Sequence, residues 1–285
     1  MFYFDTHTHV ISSDREQYPF APLGGVQSAW SVEHPATAED LLTQMDEAGV
    51  DRAVLIQAAT AYGVDNSYAA DTLERHRDRF VGVCAVDFLS DGVIDDLDHW
   101  ISDRGFSGVR IRRSPGSTNI EAPARLDDPR HNRVWEYLSD RKIPVCVTVR
   151  AEHLPELSAV LFGFPGLTVL VDNGGRPRLD GGPPYDEGIR ELSVLKEFDV
   201  HLKITPGVIH RVQKQPGGDP GALVTRLIEE FGSERVMVGS NFPAAKGSLG
   251  DLLDLIEDTL GALGPAQKSA VLGTNAAAIY RVSTA

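Results

Sequence analysis

The chain has 285 residues, of which 42% are hydrophobic and 24% are charged, as in an ordinary soluble globular protein. It carries 27 Lys and Arg against 41 Asp and Glu, so its formal net charge is -14. Such a charge repels phosphate backbones and argues against general nucleic-acid binding. No run approaches the ~18 apolar residues that a membrane-spanning helix needs, so we expect no membrane partner.

Short apolar and β-branched runs predict eight strands, at 2–9, 52–58, 80–87, 106–112, 143–149, 167–172, 199–205 and 235–240. Helical patterns separate most of them, at 38–48, 66–78, 128–141, 153–162, 185–198, 219–231 and 248–262. Strands that alternate with helices favour parallel pairing through right-handed crossovers.

The long connections follow strands, at 10–37, 113–127, 173–184 and 206–218. In an α/β barrel such loops meet at one end, where barrel enzymes build their sites. We therefore predict a single-domain (β/α)8 TIM barrel over residues 1–285, in regular or distorted form. An open doubly wound sheet is the alternative, but no GxGxxG follows the first strand.

The cysteines and the amino-terminal residues bear on the compartment. Cys84 and Cys146 both stand inside apolar runs, so we expect two buried thiols and no disulfide. The first residues, MFYFDTHTHV, lack the pattern of a secretory signal. Together these features predict a cytoplasmic protein.

The strongest local motif ends the first predicted strand. Asp5, His7 and His9 alternate along it, so we expect their side chains to share one face. Two imidazoles at this spacing can hold one divalent cation or one substrate oxygen. The alternative is a pair of hydrogen-bonded structural histidines.

Several segments in chain order resemble one family. FDTHTHV at 4–10 resembles the opening motif of the amidohydrolase superfamily, and further segments resemble its lactonase-like branch. These are Val86-Asp87, DNGGRP at 172–177, GSNFP at 239–243 and GTNAAAIYRV at 273–282. The resemblance implies a barrel that hydrolyses a lactone, ester or amide. It also implies one divalent metal, zinc or manganese, which would be bound here by His7 and His9 and would activate water.

Two departures from the family pattern weaken the expectation of a metal. Asn173 stands where the family often has His, and Asn241 where it often has Asp. An amide is a poor zinc ligand and cannot serve as a base. A metal-free mechanism is equally open, since the branch that the chain resembles includes members that act without a metal. In it, His7 and His9 polarise the carbonyl, and the two Asn side chains donate hydrogen bonds to it.

The metal-free mechanism lacks an obvious base. Asp87 is the candidate that we include in the catalytic set, and Asp5, His153 and His210 are alternatives. Asp172 is less attractive, because strand alternation turns it outward if Asn173 faces inward.

Basic residues near strand ends predict an anionic substrate. Guanidinium groups bind carboxylates through paired hydrogen bonds, so we expect a small carboxylated ligand. The alternative is that some of these residues are solvated or paired with acids. The candidate substrate-binding residues are Arg110, Arg112, Arg150, Arg176 and Lys203. Aromatic residues of the loops could wall the pocket or simply pack there; they are Tyr18, Phe20, Trp30, Tyr62 and Phe242.

Three functional hypotheses remain open. The first is a hydrolase that acts on a lactone or similar cyclic ester. The second is a metal-dependent decarboxylase of the same superfamily, and the third is a binding protein without catalysis. In each case the partner is a small molecule, and a homo-oligomer is left open.

Overall fold

The computed structural model describes residues 1–113 and 124–284. Its eight strands form one sheet in chain order, and each pairs in parallel with the next. A parallel bridge between Thr8 and Phe242 joins the last strand's extension to the first, which nearly closes the barrel. The strands are β1 (Phe4–Thr8), β2 (Arg52–Ile56), β3 (Phe80–Cys84), β4 (Gly108–Arg112), β5 (Val145–Thr148), β6 (Val169–Val171), β7 (Val200–Ile204) and β8 (Val236–Val238).

Helices lie between the strands, as a (β/α)8 barrel requires. No helix within residues 1–113 and 124–284 is long and apolar enough to cross a membrane. The helices are α1 (Trp30–Glu33), α2 (Ala38–Ala48), α3 (Ala59–Tyr62), α4 (Ser67–Arg75), α5 (Val93–Leu97), α6 (Asn132–Arg141), α7 (Leu154–Gly163), α8 (Asp186–Leu192), α9 (Pro206–Gln213), α10 (Pro220–Phe231), α11 (Leu249–Thr259), α12 (Pro265–Ser269) and α13 (Asn275–Tyr280).

The predicted barrel is confirmed, and each predicted strand contains an observed one that is a few residues shorter. Two predicted loops are wrong in part, because 10–37 contains the four-residue α1 and 206–218 contains α9. Val208, Ile209 and Val212 are buried on one face of that helix, and Pro206 stands in its first turn. The Pro-Gly pair at 206–207 looks like a turn in the sequence, although proline is well suited to a helix start.

Two apolar clusters hold the barrel together. The larger one fills the space between the sheet and the surrounding helices. The smaller one lies inside the barrel and includes Phe4, Ile56, Cys146, Leu170 and Met237. Both cysteines are buried and free, as predicted. Above the inner cluster the barrel interior becomes polar, and this change places the candidate site at the carboxyl ends of the strands.

Candidate active site at the carboxyl end of the barrel

A cavity of about 390 Å³ opens at the carboxyl ends of the strands. Seven of the predicted site residues line it, and they come from β1, β4, and the segments that follow β6 and β8: His7, His9, Arg110, Arg112, Asn173, Arg176 and Asn241. Its other lining residues were not predicted, apart from Trp30: Ser28, Trp30, Ala59, Thr60, Thr148, Thr205, Gly207 and Ala244. Threonines at strand ends are common for reasons of β-propensity, so the sequence gives little sign of a site role.

The backbone of β1 is irregular where it carries the histidines. Its register with β2 shifts between Asp5 and Thr8, and both His7 and His9 face the cavity. Asp5 does not line the cavity; its Oδ1 accepts hydrogen bonds from the backbone N–H groups of His7 (3.0 Å) and Ser240 (2.9 Å). A Cβ on Gly239 would lie 2.6 Å from His7 Cβ, so the glycine allows β8 to approach β1. The two histidines therefore share one face of the strand, as expected. Asp5 does not share it and instead links β1 to the segment after β8 through hydrogen bonds.

Asp172 lies at the centre of the site, and the prediction that it points outward is wrong. It is fully buried, and its Oδ2 accepts hydrogen bonds from Thr148 Oγ1 (2.7 Å) and Arg110 Nη2 (3.1 Å). Its Oδ1 lies 3.3 Å from His7 Nδ1 and 3.5 Å from Lys203 Nζ. β6 ends at Val171, and Asp172 begins a 3-10 turn. Strand alternation therefore no longer applies at this position, which is why the prediction failed.

The charges of the central groups follow from burial and from their neighbours. Burial alone would raise the pKa of Asp172, but the charges of His7, Lys203 and Arg110 hold it well below its usual range. Burial lowers the pKa of His7 to about 4, against the opposing attraction of Asp172. Burial, followed by the charge of His7, also lowers the pKa of His9. At neutral pH the site therefore contains an ionised carboxylate and two neutral imidazoles.

The tautomers of the two histidines follow from their contacts. His7 Nδ1 lies 3.3 Å from a carboxylate oxygen of Asp172, without the geometry of a hydrogen bond, and His9 Nδ1 lies 2.7 Å from the carbonyl oxygen of Ile56. Both neighbours are acceptors, so each Nδ1 carries the proton and each Nε2 keeps its lone pair. His7 Nε2 is buried and has no hydrogen-bond partner among the described residues. Trp30 stacks on the His9 ring at a centroid distance of 5.3 Å and fixes its plane.

The two asparagines both adopt left-handed backbone conformations, with φ of 55° at Asn173 and 56° at Asn241. Asn tolerates this conformation better than most residues. Thr205 Oγ1 donates to Asn173 Oδ1 at 2.8 Å, which leaves the amide NH₂ group as a donor. A Cβ at position 207 would lie 2.6 Å from the same oxygen, so Gly207 makes room for the Asn173 side chain.

The predicted basic residues divide into two groups. Arg110, Arg112 and Arg176 line the cavity, and Arg112 has no carboxylate within ion-pair distance among the described residues. Burial, followed by the charge of Arg110, lowers the pKa of Arg112 to about 10, so it stays protonated at neutral pH. Lys203 is fully buried beneath Asp172 and does not line the cavity, so the structure gives no support to direct substrate binding by Lys203.

Arg150 lies outside this cavity, at the edge of a neighbouring one of about 280 Å³. Its lining residues are Arg150, Ala151, Glu152, Arg176, Arg178 and Arg211. Arg176 borders both cavities and so connects them. A role for Arg150 in substrate binding therefore applies only to a ligand that extends past Arg176.

The predicted base candidates do not face the cavity. Asp87 accepts a hydrogen bond from the backbone N–H of Leu89 at 3.0 Å and lies away from the lining residues. His210 is exposed on α9, and His153 Nδ1 accepts a hydrogen bond from Arg150 N at 3.4 Å. Since none of them reaches the lining, the structure does not support the inclusion of Asp87 in the catalytic set.

The donor set does not suit a resident zinc or manganese ion. Of the residues that the structure describes, no three His, Cys, Asp or Glu side chains are arranged to hold a metal. His7 and His9 offer two nitrogens, whereas zinc sites use three or four protein ligands. Asp172 is the nearest carboxylate, but Arg110 and Lys203 already compensate its charge. A divalent cation would add positive charge beside these groups.

The fold is a (β/α)8 barrel, and its candidate active site contains two histidines, as in a barrel hydrolase. Residues 4–282 match the amidohydrolase family model, and the chain belongs to that family of hydrolytic enzymes. A curated relative is the L-fucono-1,5-lactonase of Burkholderia ambifaria, which is 24% identical over 255 residues and aligns with 86% of this chain and 84% of its own.

Solved structures of similar proteins share the fold at low identity. A Pseudomonas putida protein provisionally named 2-pyrone-4,6-dicarboxylic acid hydrolase has a TM-score of 0.79 at 22% identity, and 98% of this chain and 97% of that chain are covered. An amidohydrolase from Burkholderia multivorans with bound zinc has a TM-score of 0.79 at 20% identity, with 99% and 100% covered. The 2,6-dihydroxybenzoate decarboxylase of Rhizobium has a TM-score of 0.71 at 15% identity, with 99% of both chains covered.

Proposed function

We propose that the chain hydrolyses the lactone or another cyclic ester of a small carboxylated compound. The observation that carries the proposal is the pairing of His7 with Asp172 below a cavity that Arg110 and Arg112 border. The names of two similar proteins agree with it, since one is a lactonase and the other is named for a cyclic dicarboxylate ester.

His7 is the proposed general base. Its Nε2 lone pair is free, and Asp172 holds the opposite ring nitrogen at 3.3 Å. When Nε2 takes a proton from the attacking water, the Asp172 carboxylate stabilises the imidazolium that forms. His9 offers a second Nε2 lone pair in the same cavity and orients the water or the substrate.

The arginines bind the negatively charged group of the substrate close to His7, and this charge makes His7 a stronger base. In the free enzyme, burial and the positive charges of Arg110 and Lys203 keep the pKa of His7 low. A carboxylate bound beside Arg110 and Arg112 offsets part of this charge and raises the pKa of His7. A stronger base therefore forms only when an anionic substrate is bound.

Donors on the other side of the cavity stabilise the oxyanion. Thr205 donates to the amide oxygen of Asn173 and leaves its NH₂ group as a donor, and Asn241 and Arg112 also line the cavity. Hydrogen-bond donors that are fixed before the reaction stabilise developing negative charge without a metal ion.

The two alternatives have less support. Metal-dependent decarboxylation remains a hypothesis because a decarboxylase shares the fold, but the described donor set does not suit a metal. Ligand binding alone does not require the buried pair of His7 and Asp172. The cytoplasmic location stays a prediction, and a homo-oligomer stays an open alternative.

A panel of matched lactones, with and without a carboxyl group, tests the proposal. Ring opening is followed by proton release, decarboxylation by carbon dioxide, and binding by calorimetry. We expect turnover of carboxylated lactones, its loss in His9→Ala, and no effect of His210→Ala, because His210 is exposed and outside the cavity. Carbon dioxide release would support the decarboxylase, and tight binding without turnover would support the binding protein.

A further inference from the structure

A cysteine and a lysine meet directly beneath the proposed catalytic pair. Cys146 Sγ lies 3.0 Å from Lys203 Nζ, and both residues are fully buried inside the barrel. The same Nζ lies 3.3 Å from the carbonyl oxygen of Thr6 and 3.5 Å from Asp172 Oδ1. The lysine is thus in contact with both a thiol and the carboxylate of the pair.

The other cysteine has different surroundings. Cys84 is equally buried, but the contact of its Sγ is the carbonyl oxygen of Gly108 at 3.5 Å. Burial raises the pKa of the Cys84 thiol to about 12. Cys84 therefore serves as an internal control for any chemistry that requires a neighbouring amine.

The Cys146 thiol lies close to the cavity. Thr148 lines the cavity, and Cys146 is two residues earlier on β5, so both side chains point into the barrel. Hydrogen peroxide would have to reach the fully buried thiol from that side.

We propose that Cys146 and Lys203 form a peroxide-sensitive pair that becomes covalently linked by a sulfur–nitrogen bond. Peroxide oxidises the thiol to a sulfenic acid and is itself reduced to water. The Lys203 ammonium releases one proton to solvent, and the resulting amine attacks the sulfur. The S–O bond breaks, the hydroxyl leaves with a second amine proton as water, and an S–N bond remains. Sulfenic acids condense with nitrogen in this way.

The link changes the proposed base. It removes the ammonium charge that helps to keep the pKa of His7 low and that of Asp172 well below its usual range. Thiols reverse the reaction by attack on the sulfur, which restores Lys203 and Cys146. This consequence rests on the proposed function, whereas the link itself does not.

Mass spectrometry after peroxide treatment tests the link. We expect the intact protein to lose the mass of two hydrogen atoms, trypsin to stop cutting after Lys203, and a linked peptide to join β5 to β7. A thiol reductant should reverse all three changes. Cys84→Ser should behave like the wild type, and Cys146→Ser should show none of the changes.

Activity on the lactone found in the panel is measured in parallel, and we expect the fall of kcat/KM at acid pH to move reversibly to higher pH in proportion to the linked fraction. Sulfinic acid at Cys146 without a linked peptide, or the same mass change in Cys146→Ser, would overturn the proposal. If Cys146→Ser does not fold, the presence or absence of the linked peptide in the wild type tests the proposed link. If no lactone is turned over, the mass change still tests the link, and only the proposed function is contradicted.

Discussion

His7 Nδ1 and Asp172 Oδ1 lie 3.3 Å apart although the two residues come from β1 and from the turn after β6. The contact places an acceptor beside Nδ1, and the buried His7 Nε2 has no hydrogen-bond partner among the described residues. In the proposed mechanism His7 is the base that the two asparagine positions lack, so hydrolysis of a lactone does not require a carboxylate at position 241.

Replacement of Asp172 tests this pairing. We expect Asp172→Asn to lower kcat by about 10²–10⁴-fold, because the neutral amide no longer stabilises the imidazolium. Thr148→Val removes one hydrogen bond to Asp172 but keeps the charge, so we expect a loss of about tenfold or less. Circular dichroism controls for folding. Equal losses in two folded variants would contradict a special role for the charge.

The pH dependence of activity reports the two protonation states of His7. The base must be neutral, and the pKa of His7 in the free enzyme is lowered to about 4. We therefore expect kcat/KM to fall only as the pH drops through about 4, because kcat/KM reports the free enzyme. For a carboxylated substrate kcat should begin to fall at a higher pH than kcat/KM does. For a neutral lactone both should fall at the same pH. If kcat falls at the same pH for charged and neutral substrates, activation by the bound anion is contradicted.

Arg112 should select for negative charge on the substrate. We expect Arg112→Gln to raise KM for a carboxylated lactone about 10- to 100-fold, since a charge-assisted hydrogen bond contributes about 1.5–3 kcal/mol. The neutral analogue should be little affected. Arg75→Gln is the matched control, because Arg75 forms an exposed ion pair with Glu39 away from the cavity. An equal rise for both substrates would rule out charge selection.

Removal of metal should leave the enzyme active. The described donor set does not suit a divalent ion, so we expect less than one equivalent of zinc or manganese by elemental analysis. Activity should survive dialysis against a chelator. Stoichiometric metal whose removal abolishes turnover would show that further ligands complete a site on His7 and His9, and it would reopen the decarboxylase hypothesis.

The contribution of Asp5 to the free energy of unfolding should decrease as the pH rises. Burial raises the pKa of Asp5 from 3.8 to about 6, so its contribution is complete below about pH 4 and is lost as the pH rises through about 6. His7 acts in the opposite sense, because its lowered pKa gives stability that is lost as the pH falls from 6.5 through about 4. Asp5→Asn keeps an acceptor for the two backbone N–H groups and removes the first effect. We expect its stability relative to the wild type to rise by up to about 3 kcal/mol between pH 4 and pH 7, measured by chemical denaturation. A constant difference would contradict the raised pKa.

Much of this molecule could be predicted from its sequence alone. The alternation of apolar runs with helical patterns determined the barrel, because parallel strands buried on both faces need continuous apolar sequence. The spacing of His7 and His9 placed both on the cavity side, and Arg110 and Arg112 on one face of β4, because side chains alternate along a strand.

Only the tertiary structure decided which groups meet. Asp172 looked like an outward residue, yet the turn after Val171 directs it to His7, and no local pattern encodes the end of a strand that sharply. Lys203 looked like a substrate ligand, but its depth in the barrel gives it Asp172 and Cys146 as neighbours instead. Sequence periodicity fixes the direction of a side chain within one element. The depth of that side chain, and its partner across the barrel, depend on how eight strands close around a common axis.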